Sequence, residues 1–123
     1  MEDLSPYCPR YSHAAAFLGR RWMFAVVRAL MAGSHRYTDI RAGVPGVTDR
    51  ILTERLRDLE AEGIVRRDVR STSPVRVEYR LTDKGRAMTV VVTALQDWAD
   101  AWVDLPCAEP GPARPASGAA ARG

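Results

Sequence analysis

The residues with the clearest chemical potential lie close together, between positions 48 and 57. They are hydroxyl, carboxylate and guanidinium side chains: Thr48, Asp49, Arg50, Thr53 and Arg57. At about 100° per residue, Arg50, Thr53 and Arg57 share one side of a helix with Glu54. A guanidinium there can bind a carboxylate, a phosphate or the paired acceptors of a guanine edge with two hydrogen bonds.

The stretch that carries these groups has the signals of a helix with a marked start. Pro45 and Gly46 form a turn, and the Thr48 hydroxyl can cap the first turn of the helix. A core-facing stripe is formed by Leu52, Leu56 and Leu59, with Ile51 on its flank. Gly63 is placed to end the helix.

A charged outer face on one helix usually means contact with water, and the flanking segments favour a second interpretation. A short helix near Thr38 to Gly43, with Thr38 as its cap, precedes the turn, and the pattern predicts a hairpin after Gly63. Its strands are residues 64–70 and 75–81, joined by the loop 71–74. This order predicts a winged helix-turn-helix, an α+β fold that is mainly α with a small β-hairpin wing. The outer face of the second helix of such a fold enters the DNA major groove. We therefore expect Arg50 to contact a base, Arg57 a base or a phosphate, and Thr48, Asp49 and Thr53 base edges or nearby phosphates.

The predicted hairpin carries an excess of arginine. In its second strand, residues 75, 77, 79 and 81 are apolar or aromatic and alternate with charged residues, which predicts one core face and one solvated face. Arg36, before the third helix, and the hairpin are expected to bind the DNA backbone, and the hairpin residues are Arg70, Ser71, Thr72 and Arg76. The alternative is a protected edge hairpin with solvated charges.

The remaining helices predict a core and a dimer interface. The first helix is expected over Ser12–Leu18 with Ser12 as cap, and the second over Arg20–Met31 as the buried centre. The last helix should run from the Thr82–Asp83 cap to Val103, and its apolar stripe extends past a small domain. A second copy of the chain would cover the interface residues Phe17, Leu18, Val91, Leu95, Trp98 and Trp102. The alternative is a helix that folds back on its own domain.

Length and composition set the outer bounds. The 123 residues, with a formal net charge of +3 and 46% hydrophobic residues, predict one domain over 11–104, between an N-terminal arm at 1–10 and a disordered tail at 105–123. Without a signal-peptide pattern, we expect a cytoplasmic, nucleoid-associated protein. Cys8 and Cys107 form neither a disulfide framework nor a zinc site, and His13 and His35 have no metal-ligand spacing. We find no nucleophile–base pair or phosphate-binding glycine loop, so we expect no enzyme, no cofactor and no metal.

Five ordered motifs resemble the HxlR-type family of bacterial winged-helix transcriptional regulators, which are related to the MarR group. Cys8-Pro9 precedes the first helix, and Leu18 to Trp22 is similar to the family's Ile-Gly-Gly-Lys-Trp. Residues 36–40 resemble Arg-Phe-Ser-Glu-Leu, and residues 45–57 resemble Pro-Gly-Ile-Ser-x-Arg-x-Leu-Thr-x-Arg-Leu-Arg. Residues 77–85 resemble Val-Glu-Tyr-x-Leu-Thr-x-Lys-Gly. The resemblance spans about residues 8–103 and departs at Arg20, which replaces a glycine.

The resemblance implies a dimeric DNA-binding regulator, and we expect a repressor that binds a pseudo-palindromic operator. Family members that sense oxidants or electrophiles imply a redox role for Cys8, against the alternative of a buried small side chain. A second candidate for control is an aromatic ligand among Trp22, Phe24, Trp98 and Trp102, against the alternative of plain core. A winged helix that binds a protein instead of an operator is the competing functional class.

Overall fold

The computed structural model describes residues 6–106, which form six helices and one hairpin. The helices are α1 (Pro9–Leu18), α2 (Met23–Met31), α3 (Tyr37–Ala42), α4 (Asp49–Ala61), α5 (Asp83–Arg86) and α6 (Thr89–Trp102). The strands are β1 (Val65–Arg70) and β2 (Arg76–Leu81). This confirms the predicted α+β class. Residues 1–5 and 107–123, with Cys107 and most of the predicted tail, lie outside the described residues.

The chain divides into two compact units, residues 1–93 and 94–123. The core of the first unit centres on α2, as predicted, because Met23, Val26 and Val27 are fully buried. From α4, Leu52, Leu56 and Leu59 reach the same core cluster with at most 2% of each side chain exposed. The leucine stripe therefore packs inward and leaves the opposite face of α4 outside.

The first two helices begin at other residues than predicted. α1 starts at Pro9 and not at Ser12, because proline has no N–H to satisfy and its φ suits the first helical position. Cys8 is the residue before it, and Ser12 lies inside the helix, where its N–H donates to the Cys8 carbonyl at 2.9 Å. Two residues of the predicted arm are therefore helical.

α2 begins at Met23 and not at Arg20. Trp22 has a φ of +73°, a left-handed conformation that is uncommon for a bulky residue and interrupts the helix. Its ring lies against the turn before α4, since a Cβ atom added to Gly46 would meet the ring at 3.3 Å. Contact between the ring and this turn offers a physical reason for the unusual backbone.

Two polar contacts link α1 and the loop after it to the C-terminal end of α4 and the residue that follows it. His13 Nε2 lies 2.9 Å from Glu62 Oε2, and this hydrogen bond is the main cause that lowers the pKa of Glu62. Arg20 Nη1 lies 3.1 Å from Asp58 Oδ2. Arg20, where the chain departs from the family motif, thus attaches the loop before α2 to α4.

The helices around the turn confirm one predicted cap and correct the other. The Thr48 hydroxyl accepts a hydrogen bond from Ile51 N at 3.2 Å, so Thr48 caps α4 as predicted. Thr38 does not cap α3, since that helix begins at Tyr37 and follows Arg36, whose backbone is extended. Gly63, with a φ of +81°, follows the last turn of α4 as expected.

The two faces of the hairpin differ from the prediction. One face carries three cross-strand pairs, Arg66 with Arg80, Asp68 with Glu78, and Arg70 with Arg76. We call this face the charge ladder. It is not fully solvated, because only 12% of the Glu78 side chain is exposed. On the other face, Val65 is buried, whereas Val69 is 55% exposed because the tip extends beyond the core.

The predicted last helix is two helices. Thr82 caps only α5, where its hydroxyl accepts from Gly85 N at 3.1 Å, and α6 begins at Thr89. Gly85 is buried against the Ile64 carbonyl, and this close contact fixes α5 beside the start of the hairpin. None of the described helices is both long enough and apolar enough to cross a membrane.

Candidate nucleic-acid interface

The exposed face of α4 carries the predicted base-reading residues. The Arg50 side chain is 83% exposed, and its Nε lies 3.4 Å from Glu54 Oε2 one turn later. Arg57 is also exposed, whereas Thr53 is half-buried beside it. Arg57 makes no ion pair with any residue between positions 6 and 106. The face therefore presents one paired and one unpaired guanidinium.

Asp49, another predicted contact, is bonded within the protein. The Tyr37 hydroxyl donates to Asp49 Oδ1 at 2.9 Å, and Arg41 Nε lies 3.2 Å from the same oxygen. The Tyr37 oxygen also lies 3.5 Å from the Thr53 hydroxyl. Tyr37 and Arg41 of α3 thus attach to the first turns of α4 and fix the geometry of the helix-turn-helix.

Replacing Tyr37 with phenylalanine should lower the free energy of unfolding by about 1 kcal/mol. The ring stays, but the hydrogen bond between the two helices is lost. Urea denaturation followed by circular dichroism measures the change. Tyr11→Phe is the control, because Tyr11 is 76% exposed and its hydroxyl bonds to no described residue. Equal stabilities of the two variants would show that the hydroxyl does not hold α3 and α4 together.

A cleft between α4 and the hairpin contains an arginine that we did not assign to the site from the sequence. Arg57 and Arg67 line it together with Tyr79 and the carboxylate-bearing Glu60. Arg67 makes no ion pair within the described part of the chain. The sequence contains a signal that could have identified it. Arg67 stands at an inward position between Val65 and Val69, where strand alternation predicts an apolar residue.

The residues predicted to bind the DNA backbone differ in whether their side chains already bond within the protein. Arg70 Nε lies 3.5 Å from Glu78 Oε1, and the Thr72 hydroxyl donates to the Pro74 carbonyl inside the loop. The exposed Ser71, Arg76 and Arg36 have no ion pair or side-chain hydrogen bond in the described region. A hydrogen bond from Arg80 is the largest cause that lowers the pKa of Glu78, with smaller contributions from the charges of Arg70 and Arg36.

The predicted dimer residues are mostly exposed in the single chain. On α6, Val91, Leu95, Trp98 and Trp102 are 42%, 44%, 59% and 75% exposed, and helical spacing places them on one face. Phe17 is 6% exposed and belongs to the core of its own protomer, which corrects its assignment to a dimer surface. Leu18 is half-buried.

The structure describes Cys8 and all four aromatic residues of the two candidate control sites, but it does not bring the four aromatic residues together in one unit. Cys8 is half-buried directly before α1, and it forms no disulfide with a described residue. Trp22 and Phe24 line a shallow depression on the first unit, whereas Trp98 and Trp102 belong to the second unit. Among residues 6–106, no three His, Cys, Asp or Glu side chains come together in a way that could hold a metal ion.

Comparison with known proteins places this arrangement in a family. A family model described as HxlR-like helix-turn-helix matches residues 17–106. YvaP of Bacillus subtilis, named as an HTH-type transcriptional regulator, is 44% identical over 100 residues, which is 81% of this chain and 93% of YvaP.

Two solved proteins share the fold. The reduced form of the transcriptional regulator YodB from B. subtilis has a TM-score of 0.71 and 38% identity, over 80% of this chain and 96% of that one; YodB structures also exist in diamide-treated and quinone-bound forms. The redox regulator HypR in its oxidized form has a TM-score of 0.72 and 34% identity, over 80% of this chain and all of that one. The chain is therefore a transcriptional regulator, not an enzyme, and belongs to the HxlR-like helix-turn-helix family.

Proposed function

We propose that this regulator represses transcription by binding a pseudo-palindromic operator as a homodimer. Each protomer presents α4 to a major groove, and the two half-sites lie about 34–36 Å apart, one helical turn of DNA. The observation that supports this most directly is the set of guanidiniums around α4 and the hairpin that make no ion pair within residues 6–106. They are Arg36, Arg57, Arg67 and Arg76.

The positions of these arginines divide the contacts into two kinds. Arg50, close to the start of α4, is our choice for a guanine contact, because its fork matches the O6 and N7 acceptors. When a helix occupies the major groove and a wing the next minor groove, the strand between the grooves crosses the space between helix and wing. Arg57 and Arg67 line that space here, so we assign them to backbone phosphate.

Dimerisation is assigned to the exposed apolar face of α6. The two tryptophans at its end are large apolar surfaces in contact with water, and a two-fold partner would cover them. A DNA-bound regulator of this kind works in the cytoplasm at the nucleoid.

Control by thiol chemistry at Cys8 is the effector mechanism that we favour. YodB has been solved in reduced, diamide-treated and quinone-bound forms, and HypR is named a redox regulator in reduced and oxidized forms. Both are 33% or more identical to this chain. An aromatic ligand near Trp22 and Phe24 is the alternative.

The test is selection of bound sequences from a pool of random DNA duplexes, followed by salt titrations with variants. Arg50→Ala should cost about 1–3 kcal/mol on the selected duplex and relax the preference at one base pair. Arg67→Ala and Arg76→Ala should weaken selected and scrambled duplexes alike, and each should reduce the slope of log K against log salt by about one unit. Arg28→Ala, a control on the exposed side of α2, should change neither.

Two results would contradict the proposal. Equal losses on selected and scrambled DNA for Arg50→Ala would remove Arg50 from base recognition. If no sequence is enriched and every duplex binds weakly, the result would favour a winged helix that binds a protein. The exposed Val69 and Val75 at the hairpin tip would then be the first surface to test for that partner.

A further inference from the structure

A cleft of about 510 Å³ lies on the charge-ladder side of the hairpin, distinct from the cleft beside α4. Arg66 and Arg80 of the ladder line it, whereas Arg67 and Tyr79 line the other cleft, because alternate residues of a strand point to opposite faces. Leu81, at the end of β2, has the other parity and also lines this cleft. Its volume falls within the range of about 300–1,000 Å³ that is usual for small-molecule sites.

The lining of this cleft is cationic, and no carboxylate from the described part of the chain belongs to it. Three guanidiniums come from three elements: Arg66 from β1, Arg80 from β2 and Arg86 from α5. Each also bonds to a carboxylate, namely Asp68, Glu78 and Asp83, but none of these three lines the cleft. Because a guanidinium has five N–H donors, each arginine keeps donors for a further acceptor.

His35 adds a buried ring nitrogen that has no partner among residues 6–106. Arg80 Nη1 lies 3.4 Å from His35 Nε2, and a guanidinium can only donate, so Nε2 is the acceptor in this contact. His35 Nδ1 is buried and bonds to no described residue. A buried polar ring atom without a partner is rare in folded proteins, so His35 is the incompletely bonded residue of the cleft lining.

The remaining wall is apolar and is formed by Leu30, Met31 and Leu81. Cations beside an apolar wall suit a ligand with one anionic group on a small apolar body. The cleft also joins four parts of the first unit: the end of α2, the loop before α3, the hairpin, and the junction of α5 with α6 through Thr89.

We propose that this cleft is an effector site for a small organic acid, with the carboxylate or phosphate at the three arginines and the body on the apolar wall. The inference rests on the proposed function, because a ligand there matters as a regulator of DNA binding. The hairpin already bonds to the loop before α3, since Tyr79 N donates to the His35 carbonyl at 2.8 Å and Arg80 contacts the His35 ring. A bound acid would compete for Arg80 at this junction, and it would thereby change how the wing and the helix-turn-helix contact DNA together.

The test uses benzoate as the probe and benzamide as its neutral isostere, and isothermal titration calorimetry of the full chain without DNA measures binding. Benzoate should bind at least tenfold more tightly than benzamide or inorganic phosphate. Arg66→Gln and Arg86→Gln should each weaken benzoate at least fivefold, and both side chains are more than half exposed, so the fold should persist. Arg28→Gln removes a matched charge outside the cleft and should have no effect.

Equal binding of benzoate and benzamide, or equal loss with Arg28→Gln, would overturn the site. The regulatory half is tested separately with the duplex selected above: saturating benzoate should change its dissociation constant at least fivefold in wild type and not in Arg66→Gln. Binding without this change would overturn the effector role. Because the calorimetry contains no DNA, failure of the site and failure of operator binding remain distinguishable.

Discussion

Replacing Gly85 with alanine is expected to lower the stability of the first unit more than the same replacement at any other described glycine. An added Cβ would lie 2.2 Å from the Ile64 carbonyl oxygen and 3.0 Å from Leu81 Cδ2. The carbonyl cannot move cheaply, because it already accepts a hydrogen bond from Thr82 N at 3.0 Å. Overpacking against backbone usually costs about 1–3 kcal/mol or more, and we expect about 3 kcal/mol.

Urea denaturation of Gly85→Ala, followed by circular dichroism, measures this loss. For a unit of this size, about 3 kcal/mol corresponds to a fall in Tm of more than about 10 °C. Gly43→Ala is the matched control, since its added Cβ would have only ordinary or slightly tight contacts, the nearest at 3.4 Å from the Ala29 side chain. Equal stabilities of the two variants would show that α5 can move away from β1 without cost.

Replacing Trp98 with glutamate is expected to separate the proposed dimer. A buried tryptophan contributes about 150–250 Å² of contact, and the two-fold axis makes one substitution remove two such side chains. At about 25 cal/mol per Å², we expect a loss of at least 4 kcal/mol, which is about a thousandfold in the dissociation constant.

Sedimentation equilibrium over a range of concentrations measures the change directly. Val90→Glu is the control, because Val90 is 75% exposed on the same helix but lies about 100° away from the Val91–Trp102 face. Binding to a duplex with two half-sites should fall with the dimer, whereas binding to a single half-site should not. A Trp98→Glu protein that stays dimeric would exclude this face as the interface.

The sequence correctly predicted those elements whose helix caps, turns and apolar spacing lie within a single segment of the chain. Thr48 as the cap, the leucine stripe of α4 and the two-stranded wing depend on local spacing and on residues that begin or end an element. The features it missed depend on contacts between distant residues. The apolar repeat of the last helix continues through Met88, and the one local sign of the break is Gly85, which is a weak helix former but does not end a helix by itself.

The candidate site shows the same division. The polar residues of α4 could be read from a helical wheel, but the bonds from Tyr37 and Arg41 to Asp49 join two helices and could not. Arg67 could have been assigned from strand alternation alone. The burial of His35 Nδ1 without a hydrogen-bond partner among the described residues arises only when the hairpin packs on the loop before α3.

The carboxylates beside the proposed DNA-contacting arginines affect how tightly the regulator can hold DNA. Glu54 lies 3.4 Å from Arg50, and Glu78 lies 3.5 Å from Arg70, so each arginine must exchange a carboxylate for a DNA acceptor when it binds. Each glutamate keeps a second arginine partner, Arg55 for Glu54 at 3.6 Å and Arg80 for Glu78 at 2.8 Å, but its negative charge stays beside the DNA and offsets part of the favourable electrostatic energy and of the counterion release. The salt dependence should therefore undercount the arginines at the interface. The two glutamates act as an internal competitor of DNA, and they favour a complex that can dissociate and rebind as conditions change.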